Sequence, residues 1–287
     1  MNQNNQILPM LIYPVVMVTA VAAQLFMPNT GMQIVYAAYA VVLIGAVVIT
    51  VLEWAMPERL TWRPSVEDIG RDALYMILLQ VLFPRLLSFS VALLLLYVID
   101  GGAGLWPSEL HVGFQVVFMM LIADFFRYWL HRLAHTSHCL WRFHAVHHSP
   151  DKLYWLNTGR FHPVDKGLQF LFDALPFILL GVSSEVLSLY FVCYALNGFF
   201  QHSNIRLRFG WLNYIISTAE LHRWHHSLNK SESDNNYGNN LIIWDWIFGT
   251  RYLPAGKKVE SLGLNNADYP DTFAAQMIAP FQYRGRL

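Results

Sequence analysis

The longest uncharged runs of this chain decide what it can fold into. Ile7 to Met27 carries no charged side chain, and neither does Gly31 to Leu52. Ala73 to Ile99 is interrupted only by Arg85, and Val112 to Ala123 opens a fourth run that continues through Asp124 and Arg127. Crossing a hydrocarbon core of about 30 Å takes about 20 apolar residues in a helix, which satisfies its own backbone polar groups in a medium without water. The whole chain is 55% hydrophobic and 13% charged, against about 25% charged in soluble domains. These runs predict an all-α integral membrane protein.

Leu168 to Leu180, with Asp173 and Pro176, and Val186 to Gln201 are shorter runs joined by the turn Gly181 to Glu185. They read as a tilted or partly inserted hairpin at about 168–201, which brings the total to four to six transmembrane or partly inserted helices. Residues 1–123 are then the first transmembrane helices. Residues 124–287 form a helical cap with the further hairpin, and the two parts make one structural unit. Ala20-Val21-Ala22 resembles a signal cleavage site, but Met1 to Gln6 lacks the positive charge such a peptide needs. A retained helical hairpin is expected instead.

The 19 basic residues cancel 19 acidic ones, so bulk charge offers no case for nucleic-acid binding. Their placement is informative all the same. Every Lys and Arg except Arg85 falls on one side of the predicted helices, and excess basic charge marks the cytoplasmic side. The cap is therefore expected to face the cytoplasm, in a bacterial inner membrane by preference or in the endoplasmic reticulum. Trp129, Trp141, Trp155, Trp211, Trp224, Trp244 and Trp246 read as an interfacial aromatic belt.

Twelve histidines stand out in so apolar a chain. His131 and His135 lie four apart at the end of the fourth run, on one face if the helix continues. His144, His147 and His148 have the offsets i, i+3 and i+4, and His222, His225 and His226 repeat them. Each triplet is expected to converge on one metal. Ser217 and Glu220 have capping-box spacing before the last triplet. Eight imidazoles are too many for one ion and suit two. Ligand type alone does not choose among Fe, Zn, Cu and Ni. Cys139 and Cys193 cannot build a cysteine-rich zinc site, and His-Glu-x-x-His is absent. A zinc transporter is the rival from another class, although transport sites sit near the bilayer midplane. A zinc-holding protein without oxygenase activity is a second.

Asp124-Phe-Phe-Arg-Tyr-Trp-Leu-His131-Arg-Leu-Ala-His135 with the two His-x-x-His-His boxes resembles the fatty acid hydroxylase and sterol desaturase superfamily. Phe161-His-Pro-Val-Asp165 and the stretch from Asn236 to Thr250 extend the likeness, which looks closest to the alkylglycerol monooxygenase and bacterial sterol desaturase-like branches. The resemblance implies a membrane oxygenase with two non-haem iron ions that uses O2 to hydroxylate or desaturate a sterol, fatty acyl or ether lipid. It assigns metal-ligand roles to His131, His135, His144, His147, His148, His222, His225 and His226, and a ninth to His202. His162 is a candidate ligand or supporting residue. Asp124 is expected to accept a hydrogen bond from a ligand imidazole or an arginine, with a contact to Tyr128 or Arg127 as the alternative. Asp245 is a weaker supporting candidate. The implied electron donor is a separate ferredoxin or cytochrome b5 with its reductase, or a tetrahydropterin in the alkylglycerol monooxygenase branch.

Overall fold

The computed structural model describes residues 4–98 and 104–282. The chain opens with α1 (Asn4–Phe26) and α2 (Ile34–Ala55), joined by a tight turn in which Gly31 adopts φ 89°, a left-handed conformation that costs glycine nothing. Next comes α3 (Val66–Tyr75), which runs through a π-helical segment, Met76–Leu82, into α4 (Phe83–Val98). This helix starts upstream of the expected Ala73 because Ser65 and Asp68 form a reciprocal capping box. Acidic side chains in a first turn are stabilising, and an apolarity reading necessarily stops at them. The expected end at Ile99 and part of the following loop lie outside the described residues.

The long helix α5 (Val112–Thr136) leads directly into α6 (His138–His148). Then follow α7 (Pro163–Asp173), α8 (Leu175–Leu180) and α9 (Ser184–His202). Short helices α10 (Ala219–His225), α11 (Lys230–Ser233), α12 (Ile243–Ile247) and α13 (Phe273–Gln282) complete the cap. Three isolated bridges occur, and no strand forms among the described residues.

Four helical stretches, Ile7–Thr30, Ile34–Ala55, Val66–Leu94 and Val112–Thr136, are long and apolar enough to cross a membrane. Their surfaces agree with that. On α2, Leu43, Ile44, Val47 and Val51 face outward, while Val41, Val42, Ala46 and Ile49 are buried. An exposed apolar stripe of this extent on a soluble protein would be an aggregation hazard, whereas lipid accepts it without cost.

The predicted hairpin takes an uneven form. α7 and α8 are short and break at Ala174, ahead of Pro176. Helix α9 is the centre of the molecule and packs on α1, α2, α5 and α10. Its Leu196 and Phe200 join Val41, Ile49 and Tyr13 in the main apolar cluster. Gly45 permits the approach of α2, since a Cβ there would lie 2.3 Å from Leu196 Cδ2. Polar contacts fix the register: Tyr13 donates to Asn197 Oδ1 at 2.8 Å, and Gln24 donates to Ser188 at 3.1 Å. Thus α9 is covered by protein on most faces, and its C-terminal His202 is delivered into the cap.

Candidate metal centre

Four elements carry the histidines to one place. The last turns of α5 supply His131 and His135, α6 supplies His144, His147 and His148, α9 ends at His202, and α10 with its C-cap supplies His222, His225 and His226. They sort into two groups: His131, His135, His144, His148 and His225 in one, and His147, His202, His222 and His226 in the other. Within each group the ligand nitrogens all lie within 4.8 Å of one another.

Each triplet therefore serves both groups, not one. In both triplets the first and third histidines go together and the middle one crosses over. Helix geometry explains the division. At about 100° per residue, positions i and i+4 differ by about 40°, whereas i+3 lies about 100° from i+4. Those two directions reach two neighbouring sites.

The outer ring nitrogens of six imidazoles show how those rings are aimed. His131 Nδ1 donates to the Tyr237 carbonyl at 2.8 Å, His147 Nδ1 to the Arg160 carbonyl at 3.2 Å and His225 Nδ1 to the Asn235 carbonyl at 2.7 Å. A carbonyl only accepts, so these rings must carry their proton on Nδ1 and present a bare Nε2 inward. His135 Nδ1 meets Asp234 at 3.1 Å, His144 Nδ1 meets Asp165 at 2.8 Å, and His202 Nδ1 meets Asn157 Oδ1 at 2.8 Å. Such partners fix ring orientation and raise ligand basicity.

Inward, the Nε2 atoms of His131, His144, His202 and His225 are buried without a hydrogen-bond partner. His135 and His148 bring their Nε2 atoms to 3.2 Å, and His222 and His226 theirs to 3.1 Å. About 3 Å is the spacing of adjacent ligands that share an ion at bonds of about 2.1 Å. Burial, followed by the neighbouring imidazoles, holds His147, His148, His222 and His226 well below the usual histidine range. His225 is pushed down to about 3, chiefly by burial. Neutral imidazole is the form that binds metal. The donor set fits two metal ions.

A family profile described as fatty acid hydroxylase matches residues 116–250, which contain all nine of these histidines. Over 283 residues the chain is 33% identical to an ornithine lipid hydroxylase of Rhizobium tropici, covering 96% of this chain and 85% of that protein. The chain belongs to the fatty acid hydroxylase family. The chain is also 32% identical over 137 residues to an alkylglycerol monooxygenase of Xenopus tropicalis, which covers 47% of this chain and 30% of that one. A methylsterol monooxygenase of Arabidopsis thaliana is 29% identical over 146 residues, covering 50% of this chain and 54% of that one. No solved structure matches. The protein is accordingly a membrane lipid oxygenase.

The remaining sequence candidates sit behind the ligands or beside them. His162 enters neither histidine group. Its Nδ1 accepts from Val164 N at 3.1 Å, capping α7, and its Nε2 donates to the Met277 carbonyl of α13 at 3.2 Å, so both nitrogens are spent. That cap places Asp165 opposite His144. Asp124 touches no ligand imidazole and hydrogen-bonds no arginine. It accepts from the backbone Asn240 N and Leu241 N and from the side-chain Asn240 Nδ2, and so anchors the loop that follows Gly238. Asp245 accepts from Tyr237 N at 2.8 Å and Gly238 N at 2.7 Å. It holds the turn whose carbonyl receives His131.

Two further expectations change. The helix carrying the last triplet is capped by Thr218, whose side chain accepts from Leu221 N. Ser217 instead accepts from Gln201, and Glu220 turns back to Phe209 N and Asn213. Of the tryptophans, Trp211 and Trp246 are exposed as a belt requires, but Trp224 is buried with Trp62, Leu153 and Leu262. Trp141 packs its ring 5.0 Å from that of His135.

Proposed function

We propose that this protein holds two iron ions in its two histidine groups and uses O2 to hydroxylate or desaturate a membrane lipid. The observation that carries the reading is the gathering of five and four histidines into two close groups, with the Nδ1 atoms of six of the nine rings committed outward. Iron bound there would supply the redox chemistry that activates O2 against an unreactive C–H bond. The net hydroxylation puts one oxygen atom into the C–H bond and sends the other to water, consuming two electrons and two protons.

The protein's own part is positioning. Asp165, Asp234 and Asn157 keep three rings oriented by hydrogen bonds, and burial of the cluster excludes bulk water from it. The lipid-facing helices α1 to α5 offer the substrate, and a separate ferredoxin or cytochrome b5 with its reductase, or a tetrahydropterin, supplies electrons. The cap faces the cytoplasm on this reading, where the basic residues gather. Similarity over nearly the whole chain to an ornithine lipid hydroxylase favours a lipid with an amino-acid headgroup as substrate.

Protein purified without chelators should contain about two irons per chain and consume O2 with a reductase, ferredoxin and lipid. Membranes of cells producing it should contain lipid species heavier by one oxygen or lighter by two hydrogens, both absent with His147→Ala/His148→Ala. Zinc alone after iron-replete growth, with no oxygen consumption, would overturn the proposal.

A further inference from the structure

Between α5 and α7 lies a set of buried charges that the histidine groups do not use. Arg127 is 7% exposed and Lys166 6% exposed, each on a helix that also carries part of the metal centre. Arg127 stands one turn, about 6 Å, before His131 on α5. Lys166 follows Asp165, the acceptor for His144.

The guanidinium is poorly satisfied by the protein. Its Nη2 reaches Asn239 Oδ1 only at 3.5 Å, and its Nε is 3.8 Å from Asp173 Oδ2, too far for a hydrogen bond. Nε and Nη1 are fully occluded and meet no acceptor among the described residues. The Tyr190 hydroxyl and the Asn239 amide nitrogen are occluded and unpartnered as well. Asp173, Asp165, Tyr190 and Tyr194 lie near enough to interact with Arg127 electrostatically. Lys166 is better served, with Nζ 3.1 Å from the Tyr194 hydroxyl and 3.5 Å from Gln169 Oε1.

Ionisable groups inside a membrane-spanning segment are costly and mark binding or transport sites. A guanidinium with spare donors is suited to an oxyanion such as a carboxylate or a phosphate. Phe126 and Phe172, the sequence neighbours of Arg127 and Asp173, stack with ring centres 6.2 Å apart. Both are partly exposed on the apolar surface. These two rings mark where the apolar face adjoins the buried charges.

We propose that Arg127, backed by Lys166 and Tyr190, binds the headgroup carboxylate of the substrate lipid, with Asp173 beside it to receive a headgroup amine. This rests on the lipid-oxygenase reading above and adds the residues that select the substrate. A single unspent guanidinium and one carboxylate suit a zwitterionic amino-acid headgroup. They suit a phosphodiester lipid less well, because Lys166 is already engaged.

The test uses the purified, metal-loaded full chain in detergent and three probes: an N-acyl ornithine lipid, its methyl ester and phosphatidylglycerol. Native mass spectrometry or thermophoresis gives their affinities. The free acid should bind at least about 10-fold more tightly than the ester, a difference typical of one charge-assisted contact. Phosphatidylglycerol should bind no better than the ester. Arg127→Gln should bring the acid down to the affinity of the ester while metal content stays the same, and Arg127→Lys should recover part of the loss. Equal binding of acid and ester, or phosphatidylglycerol binding as tightly as the acid, would overturn the assignment. The acid–ester comparison needs no variant, so it decides the matter even where Arg127→Gln fails to fold. Oxidation of acid and ester with the same KM would remove this inference and leave the oxygenase standing. A preserved preference for the acid with no oxidation of any lipid would do the opposite.

Discussion

His147 and His148 are neighbours in the chain but belong to different histidine groups, their rings 5.6 Å apart and inclined at 87°. One residue of helix thus separates two metal positions. The two groups should load separately, because His131 and His135 of α5 belong only to the first and His202 of α9 only to the second. His202→Ala should retain one metal per chain, held by the five-histidine group, and His135→Ala should weaken that group instead. Both should lose lipid oxidation by more than about 100-fold, since removing a ligand costs at least as much as removing its supporting partner. Metal analysis of each variant alongside activity would check this. Complete loss of both metals in a folded His202→Ala protein would show that the groups are not independent.

The supporting hydrogen bonds make a finer claim. Asn157 Oδ1 is the acceptor for His202 Nδ1, and Asn157 Nδ2 in turn donates to the Lys152 carbonyl at 2.8 Å. Asn157→Ala should lower metal affinity of the four-histidine group by about 10–100-fold. Asn157→Asp, which keeps an acceptor, should stay close to wild type. Competition with a graded series of chelators would measure both. Equal losses in the two variants would mean that the residue acts through packing alone.

Much of this centre is legible in the chain, and the remainder is hidden for definable reasons. Histidine offsets reveal which histidines gather, because side-chain identity repeats at helical spacing. The sorting into groups is hidden because the wheel gives directions and not the partner found along each. Three of the outer acceptors are backbone carbonyls, of Tyr237, Arg160 and Asn235, and carbonyls leave no mark in a sequence. Asp165 could have been singled out, since it closes the His-Pro-Val-Asp stretch that begins with His162. Asp124 invites a partner on its own helix, yet its partners lie 116 and 117 residues away. Apolar runs locate the membrane helices by composition alone. They say little about α9, whose surroundings are protein and not lipid.

Acid should dismantle the site in a defined direction. An unfolded histidine titrates near 6.5, whereas folded His147, His148, His222 and His226 are held well below this and His225 at about 3. Below pH 6.5 the unfolded chain therefore takes up protons that the folded chain refuses. Stability falls with pH by up to about 1.4 kcal/mol per unit for each such group, until the folded values are reached. Above pH 7 these groups contribute no further slope. Metal-free protein scanned thermally in detergent should unfold at a clearly lower temperature at pH 5.5 than at pH 7.5. An unchanged midpoint would refute the account, as would greater stability at the lower pH.

Gly238 is the position where the smallest change should cost most. A Cβ there would fall 2.2 Å from the Leu241 carbonyl oxygen and 2.9 Å from Asp245 Oδ2. Neither neighbour is free to give way. Asp124 holds Leu241 N, and Asp245 holds both Tyr237 N and Gly238 N. Any shift of this turn carries with it the Tyr237 carbonyl that orients His131. Gly45 offers a contrast, because its close neighbour is the end of the Leu196 side chain, which can rotate. Gly45→Ala should cost about 1–3 kcal/mol, as overpacking usually does, and leave metal content intact. Gly238→Ala should exceed about 3 kcal/mol and deplete the five-histidine group first, because backbone atoms cannot rotate out of the way. Thermal midpoints and metal content of the two variants, measured side by side, decide it. A Gly238→Ala protein with wild-type stability and full metal would mean that the turn does not set the position of His131.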